Sequence, residues 1–228
     1  RQVEIFGEMA KKGYIYKGLK PVHWCSHCGT ALAEAEIEYA DDPCYSVYVK
    51  FEVTDDKGKL FSMGAVPGKT YVVIWTTTTW TLPANVAICL GPNFDYALLK
   101  ANREGETEYY VVAKELAANV MQEAGIEEYE IIGTVKGSEL EYVECAHPFL
   151  DRKSILILGD HVTLDSGTGC VHTAPGHGMD DFMVVTQHYP EIPFTVPVDS
   201  EGRMTEEAGF SAGLTTDEAS KVIAKHIH

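Results

Sequence analysis

The run Thr70 to Thr79, TYVVIWTTTT, constrains the fold more than any other segment of the chain. Its β-branched and aromatic side chains are stiff at the first torsion and suit a pleated surface, so it reads as a buried strand entered from the Pro67-Gly68 turn. Cys44 to Val53 (CYSVYVKFEV) alternates and reads as a second strand, ended by Asp55-Asp56-Lys57-Gly58. Further strands are expected at Asn85 to Leu90, Tyr96 to Ala101, Glu108 to Ala113, Glu130 to Val135, Leu140 to Cys145, Ser154 to Leu158 and Gly169 to Thr173. Helical spacing is rarer. Val3, Ile5, Phe6 and Met9 predict a short amphipathic helix over residues 1–12, stopped by Gly13. Ala113 to Ala124 carries Leu116, Val120 and Met121 on one side and stops at Gly125. A further helix is expected from about Gly178 to His188, before Pro190, and another starts at Thr215-Thr216-Asp217-Glu218. So many short strands with so few helices between them do not make the βαβ alternation of a doubly wound fold. The expectation is an α+β, β-rich fold, a closed or partly closed β-barrel decorated by a few helices. Its parts are a connecting segment over 1–43, a barrel core over 44–200 and a C-terminal helical return over 201–228.

The composition, 45% hydrophobic and 23% charged over 228 residues, supplies a core and excludes disordered and coiled-coil classes. The longest apolar runs, Tyr71 to Trp75 and Val86 to Leu90, are far short of the ~18 residues a membrane helix needs, and no signal-peptide pattern opens the chain. A net charge of −16 opposes general binding to DNA, and the one basic group, Lys11, Lys12, Lys17 and Lys20, reads as a solvated face. Six cysteines without a repeating spacing fit a reducing cytoplasm. Cys25-Ser26-His27-Cys28 is half of a zinc site. His23, His27 or Cys44 could complete it, but no second CxxC is present, so the pair is expected to be reduced and metal-free.

Two segments concentrate polar chemistry. Trp75 to Asn85 (WTTTTWTLPAN) would offer stiff threonine hydroxyls to whichever face meets a cavity, a suitable wall for a small polar ligand. Gly167 to Asp181 (GTGCVHTAPGHGMDD) gathers His172, His177, Asp180 and Asp181 near a helix start. The two aspartates there also suit simple first-turn capping. Two chemistries compete for this cluster: a hydrolytic metal on His172, His177 and Asp181, or an aspartate that grips an ammonium while His and Thr groups position water. A His-to-His spacing of five, rather than the four that aligns ligands on a helix face, favours the second.

These strings, with HPFLDRKSILILGDHVTLDSGTGCVHTAPGHGMDDF as the second, resemble the editing domain inserted into isoleucyl-tRNA synthetases, and PVHWCSHCGTALAEAEIEY resembles the linker before it. The resemblance covers essentially the whole chain. It implies the class I synthetase editing-domain fold and hydrolysis of valine from mischarged isoleucine tRNA, with isoleucine esters spared. The implied partners are the acceptor end of that tRNA and the rest of the synthetase, with no DNA and no membrane. The implied catalytic set is Asp181, His172, Thr77 and Thr78, with Asp181 holding the α-ammonium. Thr76, Thr77 and Thr78 border the amino acid and terminal ribose; Trp80, Asn85, His172 and His177 complete the substrate-binding set. No cofactor is implied for editing, since ATP and Mg belong to the aminoacylation site, and no HxGH or KMSKS signature occurs. Relatives commonly carry Pro where this chain has Thr79. The rival readings are a non-catalytic zinc-knuckle and nucleic-acid-binding module, and a metal-dependent hydrolase.

Overall fold

Alternation along Val47–Asp55 (β3) decides where the core lies: Val49, Phe51 and Val53 point inward while Lys50, Glu52 and Thr54 do not. The computed structural model describes residues 1–227. Before β3 come helix α1 (Gln2–Lys11) and a small hairpin of β1 (Trp24–Cys25) and β2 (Thr30–Ala31) that presents the CxxC turn. After it follow β4 (Thr70–Thr76), β5 (Ala87–Leu90), β6 (Asp95–Arg103), β7 (Glu106–Ala113), α2 (Ala117–Glu123) and β8 (Tyr129–Lys136). The chain continues through β9 (Glu144–Ala146), β10 (Lys153–Leu158), β11 (Cys170–Thr173), α3 (Met179–His188) and α4 (Thr216–His226).

Nine strands form one sheet in the order β11-β5-β10-β9-β3-β4-β7-β6-β8. Most neighbours are antiparallel; β4 with β7 and β5 with β10 are parallel. The sheet is covered on more than one face, so β5 is apolar throughout, and β6 and β7 carry continuous buried runs, Tyr96 to Leu99 and Tyr109 to Ala113. Phe51, Ile74, Leu82, Leu98 and Leu156 share the main core with Ala219 and Ile223 of α4. Leu99, Tyr110 and Val112 pack under Val120 and Met121 of α2, and Ala87, Cys89 and Ile157 pack under Val184 and Val185 of α3. Strand β11 also packs against β4, but no ladder among the described residues joins β11 to β8. The architecture is therefore sheet-rich and mixed, and the closure expected from sequence is not among the observed pairings.

Three local departures have visible causes. The strand expected to reach Thr79 ends at Thr76, because the Thr76 hydroxyl accepts the Thr78 amide at 3.0 Å and turns the chain into a 3-10 turn over Thr79–Ala84. The strand expected from Leu140 starts only at Glu144, since Tyr142 sits at φ 64° after a turn at Gly137–Glu139. The strand expected from Asn85 starts at Ala87, because Asn85 spends its side chain on the Ala87 carbonyl. Helix α4 opens as expected with Thr215 as its cap: Thr215 Oγ1 accepts the Glu218 amide at 3.3 Å and Glu218 Oε2 accepts the Thr215 amide at 2.9 Å. Helix α1 buries no residue, and no described helix is long and apolar enough to cross a membrane.

Candidate active site

The threonine turn and β11 meet at His172. Strand pairing sets His172 opposite Ile88 of β5, just beyond Asn85. Asn85 is fully buried, and its amide orientation follows from its partners. Its Oδ1 accepts from the Ser154 hydroxyl at 2.6 Å, and its Nδ2 donates to the Ala87 carbonyl at 2.9 Å. Nδ2 therefore also donates to His172 Nδ1 at 2.8 Å, which makes that ring nitrogen an acceptor and puts the proton on Nε2. Nε2–H donates to Thr81 Oγ1 at 3.1 Å, and the Thr81 hydroxyl donates onward to the Thr78 carbonyl at 2.7 Å. Every proton in this chain has one place to go. Burial, and then the charges of His147, His177 and Arg152, push the His172 imidazolium down to about 3, so the ring is neutral at physiological pH. Both nitrogens being engaged, it orients Thr81 and has no lone pair to offer a proton or a metal.

Asp181 lies in the first turn of α3 with its carboxylate folded back over Gly178. A Cβ on Gly178 would stand 2.6 Å from Asp181 Oδ2, so the glycine is what lets the carboxylate lie there. Oδ2 accepts the Ala174 amide at 2.9 Å. Burial pushes the Asp181 carboxyl up from its ordinary range, against the opposing effects of that amide and of His161. Among the described residues Asp181 belongs to no ion pair. A half-buried carboxylate without a protein cation is chemically matched to an incoming ammonium, which would favour its ionised form.

His177 packs edge-on against Trp80, ring centroids 5.0 Å apart, with Nε2 buried and unpartnered; burial pushes its imidazolium down to about 4. Trp80, His177 and Phe182 line a cleft of about 620 Å³ together with Phe194, Val196 and the connector around Trp24. The Trp24 indole donates to the Ser200 carbonyl, also on the lining of that cleft, at 2.8 Å. Thr76 is half-buried, while Thr77 and Thr78 are exposed at the turn. Thr79 is buried, and its hydroxyl donates to the Ser220 carbonyl of α4 at 2.8 Å, an attachment that a proline at this position would lack.

The structure thus joins Asn85, His172 and the threonine turn, and sets Trp80 on His177. It gives Asp181 no hydrogen bond to that network. Thr81, Ser154 and His147 escaped the sequence reading. Thr81 lies inside the quoted motif, but nothing local distinguishes it from its neighbours. Ser154 comes from β10, and His147 supports the turn from outside, its Nε2–H donating to the Leu82 carbonyl at 2.9 Å. In the CxxC turn the Cys28 amide donates to Cys25 Sγ at 3.3 Å, a contact that lowers the Cys25 thiol. Among the described residues no group of three or more His, Cys, Asp or Glu side chains is placed to hold a metal ion.

Sheet, turn and β11 loop together define a class of protein known from other chains. The family model "tRNA synthetases class I (I, L, M and V)" matches residues 1–189, and the chain belongs to that family. Within it, the chain is 57% identical over 227 residues to an isoleucine–tRNA ligase of Caldicellulosiruptor saccharolyticus and 58% identical to that of Caldicellulosiruptor bescii. Each match covers 100% of this chain and 24% of the relative, so the chain spans about a quarter of the length of these proteins. Among solved structures, the Plasmodium knowlesi cytosolic leucyl-tRNA synthetase editing domain matches with TM-score 0.64 at 12% identity, over 82% of this chain and 95% of that one. GlLeuRS-CP1 matches with TM-score 0.62 at 16% identity, over 80% and 95% respectively. These likenesses show that the fold is that of synthetase editing domains.

Proposed function

We propose that this chain is the editing unit of an isoleucine–tRNA ligase and hydrolyses the ester joining valine to isoleucine tRNA, sparing the isoleucine ester. The observation that supports it most is the Asn85–His172–Thr81–Thr78 hydrogen-bond chain, which fixes the threonine turn against β11. One methylene in a hydrophobic pocket is worth only about 1–3 kcal/mol, a limit for which isoleucine against valine is itself the standard illustration, so a ligase of this kind needs a second site. In this reading Asp181 holds the α-ammonium and Thr76, Thr77 and Thr78 border the amino acid and terminal ribose. Trp80 and His177 flank the approach, and isoleucine is refused by its extra methylene. His172, held neutral and locked by Asn85, keeps Thr81 and the Thr78 carbonyl in place, so the contribution of these residues is positioning and electrostatics. No metal enters the scheme, and ATP and Mg belong to an aminoacylation site elsewhere in the ligase. The partners are the valine-charged acceptor end and the rest of the ligase, in the cytoplasm.

The test is single-turnover deacylation of Val-tRNA(Ile) and Ile-tRNA(Ile), with and without chelator. Valine loss is expected to be the faster, to survive chelator, and to fall at least about 100-fold in Asp181→Ala, the scale of a lost charge-assisted contact in a catalytic site. Equal cleavage of the two esters, or undiminished activity in Asp181→Ala, would refute the reading.

A further inference from the structure

The threonine turn has a second anchor that the hydrolytic reading does not use. Thr79 is 1% exposed, and its hydroxyl donates to the Ser220 carbonyl in the middle of α4 at 2.8 Å, across 141 residues of sequence. On its other side the turn reaches the site within two residues. The Thr78 carbonyl accepts the Thr81 amide at 3.3 Å and the Thr81 hydroxyl at 2.7 Å, and that hydroxyl meets His172 Nε2 at 3.1 Å. The turn and α4 also share one core, since Leu82 lies with Ala219 and Ile223. The N–H of Thr79 opens the 3-10 turn and needs no partner within it, so the hydroxyl is the group that ties this residue to a neighbour.

The geometry points to Thr79 as a positioning residue, a latch through which α4 sets the placement of Thr78 and Thr81 beside His172. The inference rests on the hydrolytic reading above for its kinetic consequence, but not for its structural one. The latch holds the turn in the placement that the reacting ester needs, while most of the binding rests on contacts it does not set, Asp181 among them, so its loss lowers kcat more than it raises KM. It also makes the C-terminal helix part of the site's machinery rather than only a cover for the core.

The experiment uses the complete polypeptide that carries this chain, with Thr79→Val, Thr79→Ser and a distant core control, Val120→Ala. Thr79→Val keeps the shape and removes only the hydroxyl. It is expected to lower kcat for Val-tRNA(Ile) about tenfold with a smaller change in KM and to speed amide exchange at Thr81 about tenfold, the scale of one lost hydrogen bond. Thr79→Ser should restore both. Val120→Ala should lower the melting temperature without moving either readout. If Thr79→Val exchanges and turns over like the parent, or if Val120→Ala reproduces its kinetic loss, the latch is overturned. If the parent hydrolyses no ester, the hydrolytic reading fails alone, and exchange at Thr81 still decides the latch.

Discussion

The N-terminal connector and the sheet that follows both carry apolar side chains at regular spacing, yet only the sheet buries them. No residue before Val49 is buried, and Val3, Phe6, Tyr16, Leu19 and Tyr39 are all well exposed. From Val49 onward, strands supply each other's partners, and Phe51, Ile74, Leu98 and Leu156 are wholly covered. Spacing therefore specifies an element, but burial requires a second surface at the right distance. In the sheet that surface is another strand or helix of the same chain. Around α1 it is not among the described residues.

The contrast breaks most sharply at Phe51. Removing its ring from the main core should cost about 3–5 kcal/mol, because both the transfer energy and the cavity are lost. Urea unfolding of Phe51→Ala, with unchanged denaturant slope, reads that cost. A loss under about 1 kcal/mol would mean that the core relaxes freely and is not the rigid half of the comparison.

A second break is pH. His147 is 5% exposed and burial pushes its imidazolium down to about 4, from an ordinary value near 6.5. The unfolded chain then binds more protons than the folded one between these values, so this group's stability is present above about pH 6.5 and is lost as pH falls towards 4. The shift corresponds to about 3 kcal/mol. Asp181 acts in the opposite sense, since its raised carboxyl favours the folded state as acid is added. The expected result is a urea midpoint that drops between pH 6.5 and 4 and drops less in His147→Gln.

Much of this was legible in the sequence. β-branched runs and turn residues placed the strands, Thr215 and Glu218 announced the cap of α4, and the motifs around Thr76 and His172 marked the two segments that meet. The rest depended on distance along the chain. Thr76 ends its strand through its own side chain, a choice that β-propensity cannot foresee. Ser154 and Ser220 are unremarkable serines until β10 and α4 bring them to Asn85 and Thr79, across 69 and 141 residues. The order of pairing, with β4 beside β7 and β5 beside β10, likewise follows from how the apolar faces are covered and not from local pattern.

The smallest effect is the one that sharpens the comparison from the connector's side. Phe6 in α1 is 60% exposed and meets no buried residue of its own helix, so Phe6→Ala forfeits little transfer energy and gains slightly in helix propensity. The expected change in unfolding free energy of this chain is within about 0.5 kcal/mol, an eighth or so of the Phe51 effect for the same chemical deletion. Parallel urea titrations of the two variants measure the ratio directly. Should Phe6→Ala cost more than about 1.5 kcal/mol, α1 must pack on the sheet in solution, and the division between a self-sufficient sheet and an unpartnered connector would be wrong. A null result would instead leave the apolar face of α1, Val3, Phe6 and Met9, unpartnered among the described residues, which is the division the comparison draws.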